Sequence, residues 1–188
     1  ISRRAVILVR VLADSLATLF WTGVVLAGLR ATMPIQIVGI THDAGALVPV
    51  RGVPHRIIHC PDARGTVWTA AGGDGAPTLC VAGDAPYVAR RVQDYLKREA
   101  RQDLAAAVRR YATALGVSIG RLTLRDTASR WGSCSARGDL SFSWRLVMAP
   151  AFVLDYLAAH EVAHRLEMNH GPRFWRLVEQ VCPHRREA

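Results

Sequence analysis

Residues 154–175 read LDYLAAHEVAHRLEMNHGPRFW, and the reading of this stretch decides the fold. Its centre, His160-Glu161-Val162-Ala163-His164, is an HExxH motif. Positions four apart share one face of a helix, so both imidazoles reach a single metal ion. Glu161 lies one residue along, where its carboxylate meets a water at the metal without being a ligand. Hydrolysis requires this arrangement. Bound zinc lowers the pKa of its water to about 7, and the carboxylate takes up the proton as the water attacks a carbonyl. The protonated acid then donates to the leaving amine. Two structural histidines on an ordinary helix are the bland alternative, and buried paired histidines would then demand other partners.

A catalytic zinc takes three protein ligands and keeps one position open. Two residues compete for the third place. His170 lies six residues beyond His164, past the expected helix end, where a sharp turn at Asn169 swings it back toward the metal. Glu179 sits on the following helix and would give a site of two histidines and one carboxylate. Spacing alone does not choose between them.

Working outward, Ala149-Pro150 opens the motif helix, which carries Phe152, Val153, Leu157 and Val162. A last helix starts near Pro172 with Phe174, Leu177, Val178 and Val181 on its apolar side. Upstream, the alternation at Leu122 and Leu124, and again at Leu140, Phe142, Trp144 and Leu146, predicts a β-hairpin over 122–147. Its turn chemistry is supplied by Ala136-Arg137-Gly138-Asp139. Before it runs a long helix, capped by Asp84 with Pro86 in its first turn and stopped at Gly116. Val88, Val92, Tyr95, Leu96, Leu104, Val108, Tyr111 and Leu115 form its apolar stripe. Its other face carries Arg90, Arg91, Lys97, Arg98, Arg101, Arg109 and Arg110. Residues 31–85 are rich in Gly, Pro, Asp and Thr. They predict short strands at 35–40, 46–50, 56–59, 66–69 and 78–81, with a turn at Gly72-Gly73-Asp74-Gly75.

The remaining features bound the function class. The chain has 188 residues, 51% of them hydrophobic and 21% charged, which is globular rather than disordered. A net charge of +9 leaves a nucleic-acid partner open, although Lys97 is the only lysine and an arginine bias also follows from genome composition. Cys60, Cys80, Cys134 and Cys182 form no CxxC pair and no disulfide framework, which points to a reducing, cytoplasmic setting. Ser15 to Leu29 carries no charge and follows Arg3, Arg4 and Arg10, in the manner of a leader or short anchor. These fifteen residues fall short of the ~20 that a spanning helix needs, so a membrane partner is not expected. No phosphate-cradling loop of the P-loop type is present.

Several stretches together resemble one family. They are SRWGSCSARGDLSFSWRLVMAP at 129–150, the HExxH, and Asn169-His170-Gly171-Pro172-Arg173-Phe174-Trp175, with a looser likeness back through GVPHRIIH and the long helix. The chain is similar, over about residues 51–182, to the YgjP-like metallopeptidases, related to the SprT and Wss proteases. The resemblance implies an α+β fold: a minimal zincin-like domain with the active-site helix beside a small antiparallel sheet. It implies Zn2+ held by His160, His164 and His170, with Glu161 as general base, and a polypeptide substrate. The implied division is an atypical apolar segment at 1–45 and the metallopeptidase domain at 46–188. Residues 1 to about 42 differ from the family's β-rich beginning, and the chain ends where the family continues into a helical tail. Two other functions compete with the peptidase. One is a noncatalytic zinc module binding nucleic acid through the arginine-rich helix, which would have no use for Glu161. The other is a metal-dependent nucleotide hydrolase, which the family keeps open.

Beyond the motif, Arg130 is expected to pair with a buried carboxylate such as Asp155 or Glu167, or else to touch substrate. Trp131 and Trp175 read as core aromatics. Tyr156, Arg145 and Arg173 are unranked candidates for stabilising an oxyanion. His42, His55, His59 and His184 belong to no motif.

Overall fold

A chain whose apolar residues switch from period two to period 3.6 near residue 88 should place a sheet first and a long helix after it, and it does. The computed structural model describes residues 42–127 and 130–182. These all fall in one compact unit, 37–187. The apolar run at 15–29, the strand expected at 35–40 and His184 lie outside the described residues.

Strands β1 (Leu47–Val50), β2 (Val53–Cys60), β3 (Val67–Ala71) and β4 (Pro77–Ala82) form a mixed sheet of order β1-β2-β4-β3. β1 and β2 make a hairpin closed by Arg51-Gly52, and both of these residues have positive φ, at 51° and 80°. Gly72 to Gly75 turns the chain from β3 into antiparallel β4, as the glycine cluster predicts. β2 and β4 run parallel, in register from Arg56 opposite Thr78 to Cys60 opposite Ala82. Val48, Val50, Ile57, Leu79 and Val81 are buried on the inner face.

A 3-10 turn at Ala85–Tyr87 leads into α1 (Val88–Leu115). Pro86 opens the turn as expected, but the Asp84 side chain caps nothing; its backbone carbonyl accepts from Tyr87 instead. The stripe from Val88 to Tyr111 is buried, and Gly116 ends the helix in the left-handed region at φ 64°. Leu115 is only half-buried.

The second sheet, β5 (Leu122–Arg125), β6 (Gly132–Cys134) and β7 (Leu140–Ser143), corrects one expectation. The α+β class holds, with a small sheet beside the motif helix, but this sheet is mixed rather than antiparallel. β7 lies in the middle, pairing antiparallel with β6 and parallel with β5. The hairpin is therefore β6–β7, turning at Ser135–Asp139, and β5 is not part of it. The chain crosses the end of β7 between β5 and β6. That crossing is pinned by the Ser143 hydroxyl donating to the Thr127 carbonyl (2.9 Å), by the Ser143 N–H donating to Trp131, and by Arg145 pairing with Asp126 (2.8 Å). Trp144 and Leu146 do not extend the strand. They sit in a 3-10 helix, Trp144–Met148, in which Val147 and Met148 are buried as well. Burial of three successive side chains defeats a two-residue period.

Helix α2 (Ala151–Ala163) starts after Pro150 and α3 (Pro172–Val181) after Gly171. Ala158, Ala159 and Ala163 are fully buried, and these small side chains let α2 pack closely against its neighbours, among them α1 and β6. Among the described residues no helix is long and apolar enough to cross a membrane.

Candidate metal centre

The last turn of α2 carries His160 and His164 on one face. The helix ends at His164, and a tight reversal through 165–171 brings His170 back over them. The Gly171 N–H donating to Asn169 (2.7 Å) marks that reversal. The donor nitrogens of the three imidazoles lie within 4.8 Å of one another, and Nε2 of His160 is 3.0 Å from Nε2 of His170. Two ligand nitrogens on a tetrahedral ion at 2.0–2.1 Å would stand roughly 3.3 Å apart, so the residues present suit a metal ion. Glu179 is exposed on α3 and is not in this group.

The protonation states fit as well. Burial, aided by repulsion from His164 and His170, pushes the pKa of His160 down to about 3. Burial also lowers His164. Both rings are thus neutral near pH 7, the form that binds metal. The Nδ1–H of His164 donates to the Glu167 carbonyl (3.1 Å), which fixes the tautomer and leaves Nε2 its lone pair. Nδ1 of His160 is buried and has no such partner.

Glu161 is 6% exposed. Burial raises its pKa to about 8, and the positive charge of Arg130 opposes the shift. Arg130 thus stands near enough to Glu161 for its charge to be felt there, while among the described residues the ion pairs of Asp155 and Glu167 are made with other arginines. Asp155 is taken by Arg110 and the Tyr111 hydroxyl, and Glu167 stands 3.8 Å from Arg173. The three oxyanion candidates now separate. Tyr156 packs beside the cluster, its ring centroid 6.0 Å from that of His160. Arg145 is held by Asp126 and lies over Trp144, while exposed Arg173 faces Glu167.

Two residues of the site escaped the sequence reading. Phe174 is fully buried, and its ring touches all three imidazoles at centroid distances of 4.8, 4.6 and 4.8 Å to His160, His164 and His170. Its position four after His170, on a new helix, is the signal that was available. Trp175 stacks on His170 (5.8 Å, 27°) and is half-buried, so it belongs to the site and not only to the core. The other is Gly132 on β6, whose α-carbon faces the Glu161 carboxylate.

The basic face of α1 is partly spent inside the molecule. Arg91 donates to the Ala82 carbonyl, Arg110 binds Asp155, Lys97 binds Gln93 (3.0 Å) and Arg90 lies 3.8 Å from Asp94. An open groove of about 730 Å3 lined by Arg51, Asp103, Tyr111, Leu146 and Phe152, among others, shares no residue with the histidine cluster. Its charged groups are already paired with one another, Arg51 with Asp103 and Arg110 with Asp155.

An α+β domain thus brings three imidazoles together beside a buried carboxyl, a group of donors that suits a metal ion. The chain belongs to the YgjP-like family, whose metallopeptidase-domain model matches residues 38–188. Among solved structures it is similar to the metallopeptidase zymogen abylysin of Pyrococcus abyssi. Identity there is 22% and the TM-score 0.35, with 43% of this chain and 80% of that chain covered. No curated protein matches.

Proposed function

We propose that this chain is a zinc-dependent peptidase in which His160, His164 and His170 hold the metal and Glu161 is the general base. The observation that carries the reading is the convergence of three imidazoles beside a carboxyl buried on the same turn as two of them. When bound, zinc supplies a Lewis acid that polarises the scissile carbonyl and acidifies water.

The protein's own residues do the rest. Glu161 accepts the proton of the attacking water at a carboxylate oxygen and returns it to the leaving amine nitrogen. Burial raises this carboxyl above the ordinary carboxylate range, which makes it a stronger base toward the water and still lets it return the proton. Arg130 keeps the basic form within reach by opposing the cost of burial. Phe174 packs against the rings of all three histidines, and Trp175 against those of His160 and His170. β6 is an edge strand packed on α2, so an extended polypeptide can add to it through backbone hydrogen bonds that ignore side-chain identity.

The test is Glu161→Gln, assayed with metal analysis on labelled, unfolded casein. Zinc should stay near one per chain while hydrolysis falls at least about a hundredfold. Equal turnover by the variant, or a folded wild-type protein that takes up no zinc, would overturn the reading. Nucleotides and DNA-bound protein offered in parallel separate the peptidase from a nucleotide hydrolase and from a binding module.

A further inference from the structure

We infer that Gly132 is a positioning residue for the Glu161 carboxylate, which it admits to its place by having no side chain. The inference rests on the reading of Glu161 as general base. A Cβ at residue 132 would stand 2.5 Å from Oε1, 2.9 Å from Cγ and 3.0 Å from Cδ of Glu161. These three nearest atoms all belong to that one side chain. Contacts under 3.0 Å are not made by real Cβ atoms, so any other residue at 132 moves the carboxyl group.

Backbone conformation is not the reason for the glycine. Gly132 is absent from the positive-φ residues and pairs in ordinary strand register with Phe142. Among the described residues seven other glycines, including Gly116 and Gly138, do adopt positive φ. Gly132 is thus a glycine of close approach, of the kind that marks a strand against which another group must lie near.

Glu161 cannot absorb the displacement freely. It is 6% exposed, and its neighbours on α2 at 158, 159, 162 and 163 are fully buried. β6 is held along one edge by β7, with Ser133 opposite Ser141 and Cys134 opposite Leu140. The strand cannot back away without breaking that register. The carboxyl group is therefore held between the β6 backbone and α2, and the room for it is set by a missing methyl group. A methyl group there would drive the oxygen out by the better part of an ångström, enough to spoil proton transfer, which depends on hydrogen-bond distance.

The experiment is a pair of double-mutant cycles in the full chain. Gly132→Ala should lower kcat on unfolded casein at least about tenfold while zinc content stays at the wild-type level. The shorter acid of Glu161→Asp leaves room for the methyl group. In that background Gly132→Ala should cost under about twofold, a non-additivity that a merely structural glycine would not show. The second cycle reads thermal midpoints of chelator-treated protein. Overpacking should lower the midpoint by roughly 3–10 °C in the Gly132→Ala variant. In a Glu161→Ala background the same substitution should change it by less than about 2 °C.

Wild-type kcat in Gly132→Ala, or an equal midpoint loss with and without the Glu161 side chain, overturns the inference. Loss of zinc from Gly132→Ala also overturns it, because the glycine would then serve the ligands. If the wild-type protein cleaves nothing, the peptidase reading fails, and the midpoint cycle still decides whether Gly132 makes room for Glu161.

Discussion

His170 and Glu179 differ in a way that only three dimensions reveal. The first is folded back onto His160 at 3.0 Å, whereas the second sits exposed on the outside of α3. His170→Ala should therefore lower zinc affinity by ten- to a hundredfold or more, while Glu179→Ala leaves it within about twofold, as read by competition with a chromophoric chelator. The opposite order would give the site a carboxylate ligand. The HExxH spacing was legible because it is local: four residues on a helix define a face whatever surrounds them. From spacing His170 was legible only as one of two, since its place depends on a turn whose direction no periodicity encodes; the family resemblance is what singled it out. Gly132 and Phe174 were invisible for a related reason. Each acts across a contact between elements, and a lone glycine in a strand or phenylalanine in a helix has commoner explanations.

Among the elements, the Arg51-Gly52 tip of the first hairpin has the clearest mechanical role. The Arg51 guanidinium grips Asp103 through two bonds of 2.8 and 2.9 Å and reaches Glu99 at 3.0 Å, both on α1. These pairs raise its already high pKa further. The Arg51 N–H donates to the Val147 carbonyl (2.6 Å), and Gly52 sits so close to Pro150 that a Cβ would lie 2.9 Å from its α-carbon. The tip thus abuts the residue that starts α2. Arg51→Asn keeps a residue that tolerates positive φ and removes only the ion pairs. With the arginine side chain 40% exposed, screening limits their worth, and a loss of about 1 kcal/mol is expected from urea midpoints at unchanged m-value. No change would mean the pairs are surface decoration. The strands and helices themselves were read well from apolar period and Gly/Pro punctuation. Which strands pair was not. Parallel β5–β7 leaves no local trace, because its partners meet only after an intervening strand has been laid down beside them.

Across the whole molecule, the buried site should make the metal-free protein respond to pH along two opposed limbs. Glu161 has a folded pKa near 8 against an ordinary 4.5, so its contribution to stability is full below about pH 4.5 and is lost as pH rises toward 8. His160 has a folded pKa near 3 against an ordinary 6.5, so its contribution is full above about pH 6.5 and is lost as pH falls toward 3. Glu161→Gln deletes the first limb and leaves the second. In chelator-treated protein the variant's midpoint, relative to wild type, should therefore climb steadily between pH 4.5 and 8, as followed by circular dichroism. A constant offset over that range would show that the carboxyl group is not buried at a cost.

The bond from Arg51 to Val147 spans roughly a hundred residues of chain, and closing so long a loop is entropically slow. The first-turn amides of α2, which follow this contact, have no intrahelical acceptor, and Ala151 is exposed, so local opening begins there. The entrance to α2 should thus breathe on a faster clock than its buried last turn, where the histidines stand. Amide hydrogens near Ala151 and Phe152 would exchange well before those at His160 and Glu161. The centre would then stay assembled while its supporting edge opens and recloses many times.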